Sequence, residues 1–200
     1  PARRPSAERK GAVNAEQMFA LEGHGGTDFG TVVHELFAEV EWADGAEAEK
    51  LAATWRARGA AGAATEEVLA CLRAPELASV WARPAGAAQA EVWRERAFEV
   101  VLAGTWVTGV LDRVVVERDP AGRAVRATVF DFKTDRGTDD ADGAAAMRHA
   151  GQLNLYRRAV AVLAGVAVKA VACELVLTRR RRRVEVLARI FHPVSDANDD

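Results

Sequence analysis

The sequence predicts an α/β (α+β) domain in which helices come first, three strands follow in succession, and a long helix leads into a last pair of strands. Three observations predict it. Apolar residues recur at helical spacing from residue 29 to 40, and helical patterning continues to about residue 83. From residue 91 to 133 the pattern changes to strand-like runs broken by turn residues. Beyond that, one more helical stretch precedes two β-branched runs.

Two hundred residues, 50% of them hydrophobic, suit one domain with a sizeable core. The net charge of −2 does not mark a nucleic-acid binder, although an acid-rich site can offset a basic groove. Cys71 and Cys173 each sit in an apolar run and read as buried thiols in a reducing, cytoplasmic compartment. Two cysteines are too few for a four-cysteine iron–sulfur cluster or zinc site. No apolar run approaches the roughly 20 residues that span a bilayer, and no signal peptide opens the chain, so no membrane partner is expected. The opening Pro1 in place of Met reads as a processed chain or a domain of a longer protein.

Residues 1 to about 25 are polar, small and glycine-spotted, and read as a linker or flexible lead-in with room for a short helix around Ala15 to Leu21. Thr27 or Asp28 caps the helix that follows, whose stripe is Phe29, Val32, Val33, Leu36, Phe37 and Val40. His34 lies off the centre of that stripe, on the flank of Gly30 one turn earlier. Glycine is a poor helix former, so Gly30 suggests a close approach. His34 alone reads as an ordinary surface or core histidine.

Asp44 to Arg83 is alanine-rich, with helices over about 46–58 and 64–73 and a short third after Pro75. Trp55, Leu69, Leu72, Leu77 and Trp81 supply packing, and the stretch reads as a partly separate helical subregion without chemistry. Glu91 to Leu102, Thr105 to Arg118 and Ala124 to Lys133 read as strands of an antiparallel meander, the last two joined by the turn Asp119-Pro120-Ala121-Gly122-Arg123. Asp112, sharing a strand face with Val110 and Val114, stands where a valine would be expected. In the third strand Phe130 and Phe132 point one way and Asp131 and Lys133 the other. The phenylalanines bury; the acid and the lysine form either a solvated pair or a reactive one.

Thr134 to Gly143 is an acidic loop, and a helix over about Ala144 to Leu163 carries Arg148, Gln152 and Tyr156 on one face. Val168 to Thr178 reads as a strand, and Val184 to Phe191 as its hairpin partner. Between them stand Arg179, Arg180, Arg181, Arg182 and Arg183, solvated by default, or holding a phosphate backbone or an acidic partner. Ser195 to Asp200 reads as an acidic, disordered tail. Two aspartates and an imidazole suit a hard divalent cation, which polarises phosphoryl oxygens and acidifies water. A lysine beside them can orient that water or stabilise developing charge.

Gly30-Thr31-Val32-Val33-His34-Glu35-Leu36, Gly109-Val110-Leu111-Asp112-Arg113-Val114, Asp131-Phe132-Lys133-Thr134 and Gln152-Leu153-Asn154-Leu155-Tyr156 occur in this order. Together they resemble the PD-(D/E)XK nuclease superfamily, specifically the RecB-like nuclease domain of the AddA/RecB helicase–nuclease type. The resemblance implies a restriction-endonuclease-like core, a central mixed sheet flanked by helices, over residues 26–192. Within that frame 44–83 is a helical insertion, 1–25 a lead-in and 193–200 a tail. It implies a Mg2+- or Mn2+-dependent deoxyribonuclease, an exonuclease acting on DNA, with single strands the expected form. His34, Asp112, Asp131 and the backbone carbonyl of Phe132 would bind the metal; Lys133, Asp112 and Asp131 would be catalytic. Gln152 and Tyr156 would contact DNA, and Glu95 resembles an acid on the family's first strand. Such domains accompany a helicase motor in the same or a partner chain, and this sequence has no G-x-x-x-x-G-K-[ST] loop of its own. Related nucleases with an iron–sulfur cluster use four cysteines, so the cluster-free branch is expected. A second reading stays open: a non-catalytic DNA-binding or docking module that retains the nuclease fold.

Overall fold

The apolar stripe after residue 28 folds as α1 (Asp28–Ala38), which buries Val33, Leu36 and Phe37, with Val40 just beyond it. The computed structural model describes residues 12–14, 28–134 and 142–188. The expected short helix at 15–21, the Thr27 cap, most of the acidic loop and the tail lie outside these residues. In α2 (Gly45–Ala57) the Asp44 carboxylate caps the first turn by accepting from the Glu47 amide at 2.9 Å, and Ala48, Ala52 and Trp55 face inward. α3 (Gly62–Arg73) buries Val68, Leu69 and Leu72 and stops before Pro75. A 3-10 turn (Pro75–Leu77) and the short α4 (Ala78–Trp81) complete this layer.

These helices share one core with Val115, Phe130, Phe132 and Val176 of the sheet. The stretch 44–83 is therefore packed on the sheet together with α1 rather than apart from it. Phe132 stacks on Phe37 at 4.5 Å between ring centroids, and Trp81 stacks on both.

The sheet is mixed, with six strands among the described residues: β1 (Ala12–Asn14), β2 (Gln89–Leu102), β3 (Thr105–Arg118), β4 (Ala124–Lys133), β5 (Val171–Leu177) and β6 (Arg182–Glu185). β2 runs antiparallel along the whole of β3, from Gln89↔Arg118 to Leu102↔Thr105. The other edge of β3 is shared. β4 pairs antiparallel with its second half, ending at Arg113↔Phe130, and β1 pairs parallel with Trp106, Val107 and Thr108. β5 adds parallel to β4, a connection that requires a crossover, and α5 (Asp142–Ala164) provides it. β6 returns antiparallel to β5.

α5 covers the opposite face, where Leu153, Tyr156, Ala159 and Val160 pack on Val114, Val116, Ala127, Val129 and Cys173. The buried Arg157 fastens this helix, donating from Nε to Val171 O at 3.0 Å and from Nη2 to Val186 O. Both thiols are buried, and burial pushes each up to about 12. Among the described residues no helix is long and apolar enough to cross a membrane.

The antiparallel meander β2–β3–β4 and the flanking helices are present as expected. Three details differ. Ala12–Asn14, inside the stretch expected as a lead-in, is a strand; three residues are too few for alternation to register. Val168–Ala170, expected at the start of a strand, is a 3-10 turn. The return arm of the hairpin begins at Arg182, inside the arginine run, because pairing with β5 continues up to Leu177↔Arg182.

One irregularity in the sheet bears on side-chain placement. β3 sends Val107 and Leu111 into the core under α5, then Val114 and Val116, so the alternation shifts by one. β2 shifts likewise, from Trp93 to Phe98, Val100 and Leu102. The register is the same on both sides, Arg94↔Arg113 and Arg96↔Leu111, and the break falls between, at Glu95 and Asp112. Glu95 has φ 43, a left-handed backbone that a non-glycine residue adopts at a cost. Val114 thus enters the core under α5, but N-terminal to Asp112 it is Leu111, not Val110, that does.

Candidate active site

The site lies where β4 parts from β3. Their ladder ends at Arg113↔Phe130, while Asp131, Phe132 and Lys133 remain paired with β5. The Phe132 N–H, which a continuing ladder would give to β3, donates instead to Asp112 Oδ2 at 2.7 Å. A strand residue turns its N–H and C=O toward the same neighbour, so the Phe132 carbonyl faces this gap as well.

Into the gap comes His34 from α1. Its Nδ1 lies 3.6 Å from Asp112 Oδ1 and 3.5 Å from Glu95 Oε1, and its ring meets Phe132 edge-on at 6.1 Å. Ligand atoms of His34, Glu95 and Asp112 all fall within 4.8 Å of one another. The break at Glu95 and Asp112 lets carboxylates of β2 and β3 meet a side chain from the α1 layer. Asp131 and Lys133 point the other way from Phe130 and Phe132, toward the α5 side. Lys133 Nζ stands 2.8 Å from Asp131 Oδ2. Asp131 is 3% exposed, and its Oδ2 receives no well-aligned hydrogen bond.

The charges act on one another. Burial works to lower His34, but hydrogen bonds and charge from Asp112 and Glu95 outweigh it and raise the imidazole to about 10. Burial works to raise Asp112, but His34, Lys133 and the Phe132 amide hold it below the usual carboxylate range. Asp131 goes up, from burial first and then from the Asp112 charge, against the pull of Lys133 and His34. Three carboxylates are thus crowded around one imidazole and one ammonium.

A sequence profile of the PD-(D/E)XK nuclease superfamily matches residues 9–198. The chain belongs to this superfamily. No curated protein matches it. Among solved structures, the crystal structure of SSO0001 is similar at 17% identity over 92% of this chain and 71% of that one, with a TM-score of 0.34, a likeness too loose to bear on the site.

PD-(D/E)XK nucleases typically use divalent metals, and the residues here fit such an ion. Carboxylate oxygens and an imidazole are its usual donors, the ligand atoms of the trio lie within 4.8 Å of one another, and Asp131 Oδ2, ion-paired with Lys133, is buried without a well-aligned bond. The structure brings His34 and Asp112 together as candidate ligands and adds Glu95 to them; Asp131 stands beside that trio, held by Lys133.

Gln152 and Tyr156 sit one turn apart on α5. Gln152 Nε2 donates to the Tyr156 hydroxyl at 3.0 Å, and the Tyr156 ring packs edge-on to Phe98 at 5.7 Å. At 2% exposed, Tyr156 has no free ring face for a strand of DNA, whereas Gln152 is half-buried.

Sequence reasoning passed over Arg113, which is 1% exposed beside Asp112. Its guanidinium donates to Val80 O at 2.9 Å, Val40 O at 2.7 Å and Glu41 O at 2.6 Å. It thereby ties the C-terminal end of α1, the helix carrying His34, to the strand carrying Asp112. The available signal was an arginine set among Val110, Leu111, Val114, Val115 and Val116.

Proposed function

We propose that this chain is a Mg2+- or Mn2+-dependent deoxyribonuclease domain of the RecB-like, helicase–nuclease type. It hydrolyses phosphodiester bonds in single strands delivered by a motor in the same or a partner chain. The observation that carries the reading is the meeting of His34, Glu95 and Asp112 beside the Asp131–Lys133 pair.

His34, Asp112 and Asp131 would hold the metal, with the Phe132 carbonyl and, from its position in the trio, Glu95. When bound, the ion supplies positive charge to a phosphoryl oxygen and makes water more acidic. The chain's own residues do the rest. Lys133, fixed by Asp131, orients the attacking water and stabilises the negative charge that grows on the phosphoryl group. Asp112 holds the end of β4 through the Phe132 amide, which keeps Asp131 and Lys133 at the gap. Gln152 meets the DNA strand, and Tyr156 positions Gln152 from within the core.

The metal assignment has its own test. Mn2+ titrated calorimetrically into the wild-type chain is expected to bind, and His34→Ala to bind at least about tenfold more weakly. Equal affinity in the two proteins would remove His34 from the ligand set.

A further inference from the structure

The arginine run is the sequence feature that the site does not absorb, and the sheet sets it beside the site. Lys133 pairs with Leu177 on β5, and Leu177 pairs with Arg182 on β6. Two strand spacings put the Arg182 backbone roughly 10 Å from that of Lys133. Arg179 is nearer still: its Nε donates to Thr134 O at 3.4 Å, one residue past Lys133, and its guanidinium lies 5.0 Å from the Phe29 ring centroid on α1.

The turn is held in shape from beneath. The Thr178 hydroxyl donates to Glu67 at 2.7 Å, and the Thr178 carbonyl accepts from the Cys71 thiol at 3.3 Å, both from α3. At the far end Arg183 Nη1 bonds both Glu174 oxygens, at 3.1 and 2.9 Å. Arg181 closes the turn with φ 52, a left-handed position where glycine or asparagine is the usual choice. An exposed arginine thus stands where the backbone would prefer glycine. Arg180, Arg181, Arg182 and Arg183 line, with Glu76, an open cleft of about 460 Å³. This gathers positive charge on a chain whose net charge is −2.

We infer that Arg180, Arg181 and Arg182 form a phosphate-binding landing for the nucleic-acid strand that enters the cleavage site. The inference rests on the nuclease reading for its direction: a strand with one phosphate at Lys133 carries its neighbouring phosphates over this turn. The arginines take up backbone charge without reading sequence, and binding releases counterions.

The test needs no cleavage. Binding of a labelled single-stranded oligonucleotide is measured by fluorescence anisotropy over about 50 to 200 mM salt, without divalent ions. The proteins are the Lys133→Ala chain and the same chain carrying R180A, R181A and R182A. The slope of log affinity against log salt is expected to fall by about 2, near 0.7 for each single-strand phosphate that no arginine neutralises. R181G serves as the second variant. It relieves the left-handed residue, so it keeps the fold while its slope falls by about 0.7. Unchanged slopes in both variants would overturn the inference and leave the turn to an acidic protein partner. Cleavage by the wild-type chain is read separately. A turn-dependent slope in a chain that never cuts would sink the nuclease reading and keep the landing; cutting with unchanged slopes would sink the landing alone.

Discussion

Arg113→Ala is expected to destabilise the chain by about 3–5 kcal/mol, seen as a lower midpoint in urea. The guanidinium is buried and donates to the carbonyls of Val40, Glu41 and Val80, which come from the α1 end and from α4. Truncation leaves these carbonyls without their donor and opens a cavity beneath Trp42 and Trp81, over which the guanidinium lies at 5.5 and 5.2 Å. Burial first, and the Arg94 charge second, bring Arg113 down to about 9, so it is still charged at neutral pH. Because the same residue fastens α1 to β3, cleavage is expected to fall along with stability. A loss below about 1 kcal/mol would mean that α1 is seated by its apolar stripe alone.

Asp112→Asn is expected to slow DNA cleavage about a thousandfold, equivalent to about 4 kcal/mol, while the folded far-UV circular dichroism is kept. Asparagine retains an oxygen for the Phe132 amide, so the end of β4 keeps its anchor. What it removes is the charge shared by His34 and any cation in the trio. A rate within tenfold of wild type would show that Asp112 is only a backbone anchor, and the metal would then have to be held elsewhere.

Much of this architecture was legible in the sequence, and the reasons are local. β3 and β4 run over the residues that alternation and the Asp119–Arg123 turn mark out, because strands facing a core must alternate. Phe130 and Phe132 bury together, which sets Asp131 and Lys133 on the other face. The parting of β3 and β4 was not legible, since a strand that leaves its ladder keeps its residue pattern. Nor was the left-handed Glu95, an unlikely residue for that conformation, which turns a weak motif match into a member of the trio. Tyr156 matches a DNA-contact motif, yet spacing along a helix does not say which side of a shared face goes under. Arg113 was hidden because an arginine in a strand ordinarily points to water, and its partners lie more than 30 residues away in sequence.

The most direct test is cleavage of end-labelled single-stranded DNA by the wild-type chain and by Lys133→Ala, each with Mg2+ or Mn2+ and with the ion chelated. The wild type is expected to cut only with the ion present, and Lys133→Ala to cut slower by roughly a hundredfold or more. Undiminished cutting by Lys133→Ala, or by a metal-stripped wild type, would contradict a metal-dependent nuclease site at the parting of β3 and β4.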